Sequence, residues 1–103
     1  MRDNYYSIDV DGPRDGLATV RLGGSLDIGA REDLRDAIVR VEAARVLVDL
    51  GQVRFIDSEA LAGLIEAFLK VREGGVEIRA VNVRGIVHRV LEVTGTLELF
   101  GAS

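Results

Sequence analysis

Apolar and polar residues alternate along Tyr5–Val10 and again along Leu17–Leu22, a two-residue period that predicts two short strands. Gly12, Pro13, Asp15 and Gly16 gather between them, and a turn cluster in that place predicts a hairpin, with Pro13 lying between elements. Gly23–Gly29 is then expected to be a loop. Beyond it the period changes: Leu34, Ala37, Ile38 and Val41 fall at i, i+3, i+4 and i+7, which predicts a helix from Ala30 to Ala43. Glu32 and Asp33 in its first turn suit the helix dipole. Arg45–Leu50 is almost continuously apolar and rich in valine, as expected of a strand buried on both faces. A second helix is predicted from Ser58 to Arg72, with Leu61, Leu64, Ile65 and Phe68 as its buried stripe. Ala60, Ala62, Gly63 and Ala67 keep another face of that helix thin. Gly74 and Gly75 end it, Val76–Val81 is the next strand, and Arg84–Thr94 is a third helix carrying Val87, Val90, Leu91 and Thr94 on one face. Leu97–Phe100 is expected to be a last short strand. The order β-β-α-β-α-β-α-β predicts an α/β fold: a mostly parallel sheet with right-handed crossovers and an antiparallel N-terminal strand.

Composition narrows the class without changing this picture. A chain of 103 residues, 48% apolar and 29% charged, is expected to form one domain over residues 1–103 with a modest core. Its net charge of −4, with no run of five or more basic residues, argues against direct nucleic-acid binding. Met1–Val10 mixes charge with alternating apolar residues, unlike a secretion leader, and the longest apolar stretches fall far short of a membrane span. Without cysteine, disulfides and thiolate metal sites are excluded; a single histidine excludes a histidine-rich site. No cofactor or metal is expected, and the expected address is the cytoplasm.

The most informative stretch is Val48–Ile65, a buried strand, a short link, and a helix that opens at Ser58. A serine at a helix start lies beside backbone N–H groups without partners in the helix. Such a place suits an N-cap, worth about 1 kcal/mol, and equally suits a phosphate. Asp57 and Asp27 are each read either as braces of their turns or as partner contacts, and Asp57 also as a group that orients the serine hydroxyl. Asp49 is expected to be a turn acceptor, and His88 a solvated surface residue. Gly23-Gly24…Gly29 lacks the spacing of a nucleotide-binding loop. With no nucleophile–base pair in sight, an enzyme is not expected.

Three segments then carry a resemblance. Gly24-Ser25-Leu26-Asp27 resembles the glycine-x-leucine-aspartate loop of the bacterial anti-sigma factor antagonists, the STAS-domain family. Asp49-Leu50, Val53 and Phe55-Ile56-Asp57-Ser58 resemble its strand and phosphoacceptor loop; Val90-Leu91, Thr94-Gly95, Leu97 and Phe100 resemble its third helix and end. The resemblance, from about Tyr5 to Phe100, implies a non-catalytic switch protein. Such a protein binds an anti-sigma factor that is itself a serine kinase, and so frees a sigma factor. Phosphorylation of Ser58 by that kinase would switch binding off, and a serine phosphatase would reset it. Asp27, Asp57, Ser58 and Glu59 would lie at the partner surface. The alternative the resemblance implies is an accessory or scaffold STAS domain of a signalling or transporter assembly, with no phosphate turnover. Two positions depart from the family pattern. Glu59 and Ala60 follow Ser58 where the family has serine or threonine and then glycine, so Glu59 is expected to set a charge beside the acceptor and weaken partner binding. The sequence also ends at Ser103, where many relatives continue into a helix, and part of one sheet face is expected to be less covered.

Overall fold

Strand β1 (Tyr6–Arg14) turns back through Asp15 and Gly16 into β2 (Leu17–Leu26), and Arg14 pairs with Leu17 across the turn. Both turn residues have positive φ, +53° and +80°. This is the tight turn whose twist matches a hairpin, and Asp-Gly is a favoured pair for it. The computed structural model describes residues 5–103; Met1–Asn4, the first part of the Met1–Val10 stretch, lie outside the described residues. Pro13 does not sit between elements as expected. It lies within β1 at an irregularity between Asp11 and Arg14, a place where an edge strand tolerates a residue with no N–H.

A 3-10 turn (Ile28–Ala30) leads into α1 (Arg31–Val39), followed by β3 (Arg45–Ile56), α2 (Ser58–Glu73), β4 (Glu77–Val81) and α3 (Gly85–Val93). The sheet order is β1-β2-β3-β4, with β1 antiparallel to β2 and the other pairs parallel. Two strands run further than the periodicity suggests. Gly23 and Gly24 belong to β2, not to a loop, because Gly24 at φ +80° accommodates an irregular register and lets the Tyr5 carbonyl approach closely. Gln52–Ile56 likewise continues β3 alongside Gly23–Leu26. Helix α1 ends sooner, at Val39; Val41 and Ala43 still pack on the core from the irregular link that follows.

The expected last strand is absent: Leu97–Phe100 is a turn. The backbone N–H of Phe100 donates to Thr96 (3.1 Å) and that of Gly101 to Glu98 (3.0 Å), so the segment curls on itself. It nevertheless touches the free edge of β4, where Ala80 N–H donates to the Phe100 carbonyl (2.8 Å) and Ser103 N–H to the Ala80 carbonyl (3.2 Å). Covering an edge in this way removes a template for unwanted strand pairing.

One core joins Val20 and Leu22, Val46 and Val48, and Ile78 and Ala80 from the sheet to Leu34, Ile38, Leu64, Phe68, Val87 and Leu91 from the helices. The strands alternate, so Leu17, Thr19 and Arg21 point to the opposite face. That face is open to solvent at Arg45, Glu77 and Arg79. Helices α1 and α2 come close together at Gly63. A Cβ there would lie 2.9 Å from the Arg31 carbonyl oxygen and 3.0 Å from Arg31 Cγ. The thin face of α2 is therefore the seat of α1.

Candidate functional site

Strands β2 and β3 end side by side, with Leu26 paired to Ile56 and the Asp57 N–H donating to the Leu26 carbonyl at 3.0 Å. Each is followed directly by an aspartate, so Asp27 and Asp57 meet at one rim of the sheet. Each carboxylate accepts a backbone N–H from the turn it opens: Asp27 Oδ1 from Gly29 (3.0 Å) and Asp57 Oδ1 from Ala60 (2.9 Å). Asp57 is thus the N-cap of α2, and the expectation that Ser58 fills that position is corrected. Aspartate caps as well as serine does, and it comes one residue earlier.

Ser58 is the first residue inside α2 and is exposed. Of the two roles that spacing alone left to Ser58, capping falls to Asp57. Asp57→Ala is expected to destabilise the domain by about 1 kcal/mol, the usual loss of a cap, whereas Ser58→Ala stays within about 0.5 kcal/mol. Urea unfolding midpoints of the two variants check this; equal losses would contradict the assignment.

Glu59 does not stand alone. Its carboxylate accepts from Arg31 Nη1 at 2.5 Å, and Arg31 Nη2 donates to Glu66 at 3.0 Å. Arg35 adds a longer contact to Glu66, 3.7 Å. The bond to Glu59, followed by that to Glu66, raises the Arg31 guanidinium above its ordinary pKa. The charge that Glu59 brings beside Ser58 is thus offset by a cation from α1. Arg31, Arg35 and Glu59 line an open cleft of about 470 Å³ together with Ile28, Gly29, Glu32 and Asp33. Two apolar side chains are also exposed at this rim, Ile28 at 67% and Phe55 at 48%. Phe55 lies beside Ser25 in the register of β3 on β2.

Sequence reasoning missed Arg31, Ile28 and Phe55. Arg31 lies 28 positions from Glu59, and no local pattern joins them. The two apolar residues could not be told from core by type.

The other candidates have structural places. Asp49 accepts from Gly51 N–H (2.9 Å), Asn82 Nδ2 (3.1 Å) and Arg21 Nε (3.3 Å); it is an acceptor, but inside β3 at a register shift and not in a turn as expected. Burial pushes its carboxyl up, but the bonds from Gly51, Asn82 and Arg21 outweigh that and hold it below the ordinary carboxylate value. His88 is exposed on α3. Among the described residues, no helix is long and apolar enough to cross a membrane.

The STAS domain family matches residues 10–102. A STAS-domain containing protein of Pseudomonas aeruginosa is 34% identical over 89 residues, 82% of this chain and 86% of that protein. An anti-sigma F factor antagonist of Paenibacillus polymyxa is 27% identical over 88 residues, 82% of this chain and 75% of that one. In fold, an anti-sigma factor antagonist from Mycobacterium paratuberculosis superposes with a TM-score of 0.83 at 24% identity, covering 98% of this chain and 87% of that structure. With a family match over nearly its whole length and a sheet and helices arranged as in that structure, the chain belongs to the STAS domain family.

Proposed function

We propose that this chain is an anti-sigma factor antagonist: it binds an anti-sigma factor that is also a serine kinase, and phosphorylation of Ser58 switches that binding off. The observation that carries the reading is the freedom of Ser58. Capping of α2 falls to Asp57, so the serine stands exposed in the first helical turn with its hydroxyl available. The likeness to the antagonist of Paenibacillus polymyxa adds to it. In the reaction the γ-phosphoryl of ATP passes to Ser58 Oγ, the hydroxyl proton goes to the kinase, and ADP leaves. This chain supplies only the acceptor, so it catalyses nothing and needs no cofactor or metal of its own.

Phosphoserine carries about −1.5 to −2 charges at neutral pH. At the first turn of a helix it meets N–H groups and the positive end of the dipole, so the fold tolerates it. A partner covering the rim meets that charge beside the carboxylates of Asp27 and Asp57 and the Glu59–Arg31 pair. Desolvating such a cluster without matching cations is unfavourable, and binding is lost without refolding. The contact surface in this reading is the rim itself, with Ile28 and Phe55 as its apolar part. A serine phosphatase resets the cycle in the cytoplasm, with no direct contact to nucleic acid and no insertion into a membrane.

Mixing the protein with anti-sigma kinases of its host and labelled ATP tests this directly. Label is expected on the parent protein and not on Ser58→Ala, with the labelled form released from the kinase. Stable binding to the same kinases without any label would replace this reading by that of an accessory or scaffold domain.

A further inference from the structure

We infer that Arg31 is the counter-cation of phosphorylated Ser58: its guanidinium gives up the Glu59 carboxylate and donates to the phosphate instead. The inference rests on Ser58 being a phosphoacceptor, but not on which enzyme modifies it. Its basis is the seating of Arg31 across α2. The absence of a side chain at Gly63 lets the Arg31 backbone lie against the helix, and the guanidinium then bonds Glu59 on one side of Gly63 and Glu66 on the other. Positions 59, 63 and 66 follow one face of the helix. The guanidinium is thereby held over the first two turns, bonded to the residue next to Ser58.

A guanidinium presents a planar fork of donors that suits phosphate oxygens in pairs. Phosphoserine offers three acceptor oxygens and more charge than a carboxylate. The pair it would displace is open to water, with side chains 31% exposed at Arg31 and 46% at Glu59, and such pairs exchange readily. Arg54 is an exposed cation of β3 at the register shift beside Phe55 and lies on a different element from the Glu59–Glu66 face. Asp27 and Asp57 already hold backbone N–H groups, Glu32 and Asp33 begin α1, and Arg35 is engaged by Asp36 and Glu66.

The consequence is a switch that rearranges charge at the rim, with the net change set by the phosphate. While Ser58 is unmodified, Arg31 offsets Glu59. Once the phosphate draws Arg31 away, the phosphate is partly neutralised and the Glu59 carboxylate is uncovered in exchange, so a partner meets negative charge at two positions of the same rim. The Glu59 that departs from the family's usual hydroxyl residue would then be part of the switch.

The experiment places phosphoserine at position 58 during translation, so that no kinase is needed, and follows its phosphorus resonance against pH. The second ionisation of the phosphate is expected about half a pH unit lower in the parent than in Arg31→Gln, with Arg31→Lys in between. Arg35→Gln removes the same charge from the neighbouring turn and is expected to change it less. In the unsubstituted protein the Arg31 side-chain nitrogen resonances should move on phosphorylation, a readout that survives if a variant fails to fold. Identical titrations in parent and Arg31→Gln, or unmoved Arg31 resonances, overturn the inference. A titration that depends on Arg31, in a protein no host kinase labels, supports the pairing and overturns the kinase cycle alone.

Discussion

Phe68→Ala is expected to lower the unfolding free energy by about 3–5 kcal/mol, the usual range for truncating a buried aromatic ring. Phe68 is fully buried, and three parts of the fold meet on it. Its ring meets that of Phe100 edge-on, with centroids 4.7 Å apart at 87°. The Arg72 guanidinium lies 5.5 Å from the same ring, donating to the carbonyls of Leu99 (2.5 Å) and Ile78 (3.0 Å). Removing the ring opens a cavity between α2 and the curled segment Leu97–Gly101, and that segment covers the edge of β4. A domain of this size has a stability of about 5–15 kcal/mol, so the loss is a large share of the whole. Urea unfolding measures it. A loss under about 1 kcal/mol would mean that the segment does not pack on α2 as described.

Gly63→Val should be the more instructive change, because it acts on the fold and on the rim together. The added Cβ would stand 2.9 Å from the Arg31 carbonyl oxygen, a backbone atom that cannot turn aside. Helix α1 must therefore move outward, at a cost of about 1–3 kcal/mol, as for other overpacked sites. Gly63→Ala makes the same first contact. Its better helix propensity returns about 1 kcal/mol, so its net loss is smaller. Both substitutions lift Arg31 away from Glu59. Unfolding midpoints for the pair check the order, and a Gly63→Val protein as stable as the parent would refute close packing of α1 on α2.

These two residues mark how far the chain could be read before folding. The stripe Leu61, Leu64, Ile65 and Phe68 announced the buried face of α2 through its period, and Gly63 was placed on the thin face. What lay against that face was not legible, because Arg31 comes from another helix. Strand ends failed for a different reason. Gly23 and Gly24 have the composition of a loop, yet their backbones pair within β2, and only Gly24 at positive φ makes that register possible. Leu97–Phe100 alternates like a strand, but its N–H groups bond within a turn, and Phe100 turns in toward Phe68. At the rim, Asp27 and Asp57 were placed on one partner surface by the family resemblance, and the parallel pairing of β2 with β3 brings them together. The choice between Asp57 and Ser58 as cap needed the helix start to within one residue, finer than periodicity resolves.

By itself the sequence determined the order of the first four strands and three helices along the chain, the antiparallel first strand, and the serine at the head of the second helix. Those follow from local periods of two and 3.6 residues, which each segment carries in its own side chains. Tertiary structure decided which carboxylate caps α2, that Glu59 is offset by Arg31, and that the last segment curls over β4 instead of joining the sheet. Each depends on groups far apart in the chain being brought within hydrogen-bond or van der Waals reach, and no local pattern encodes that distance.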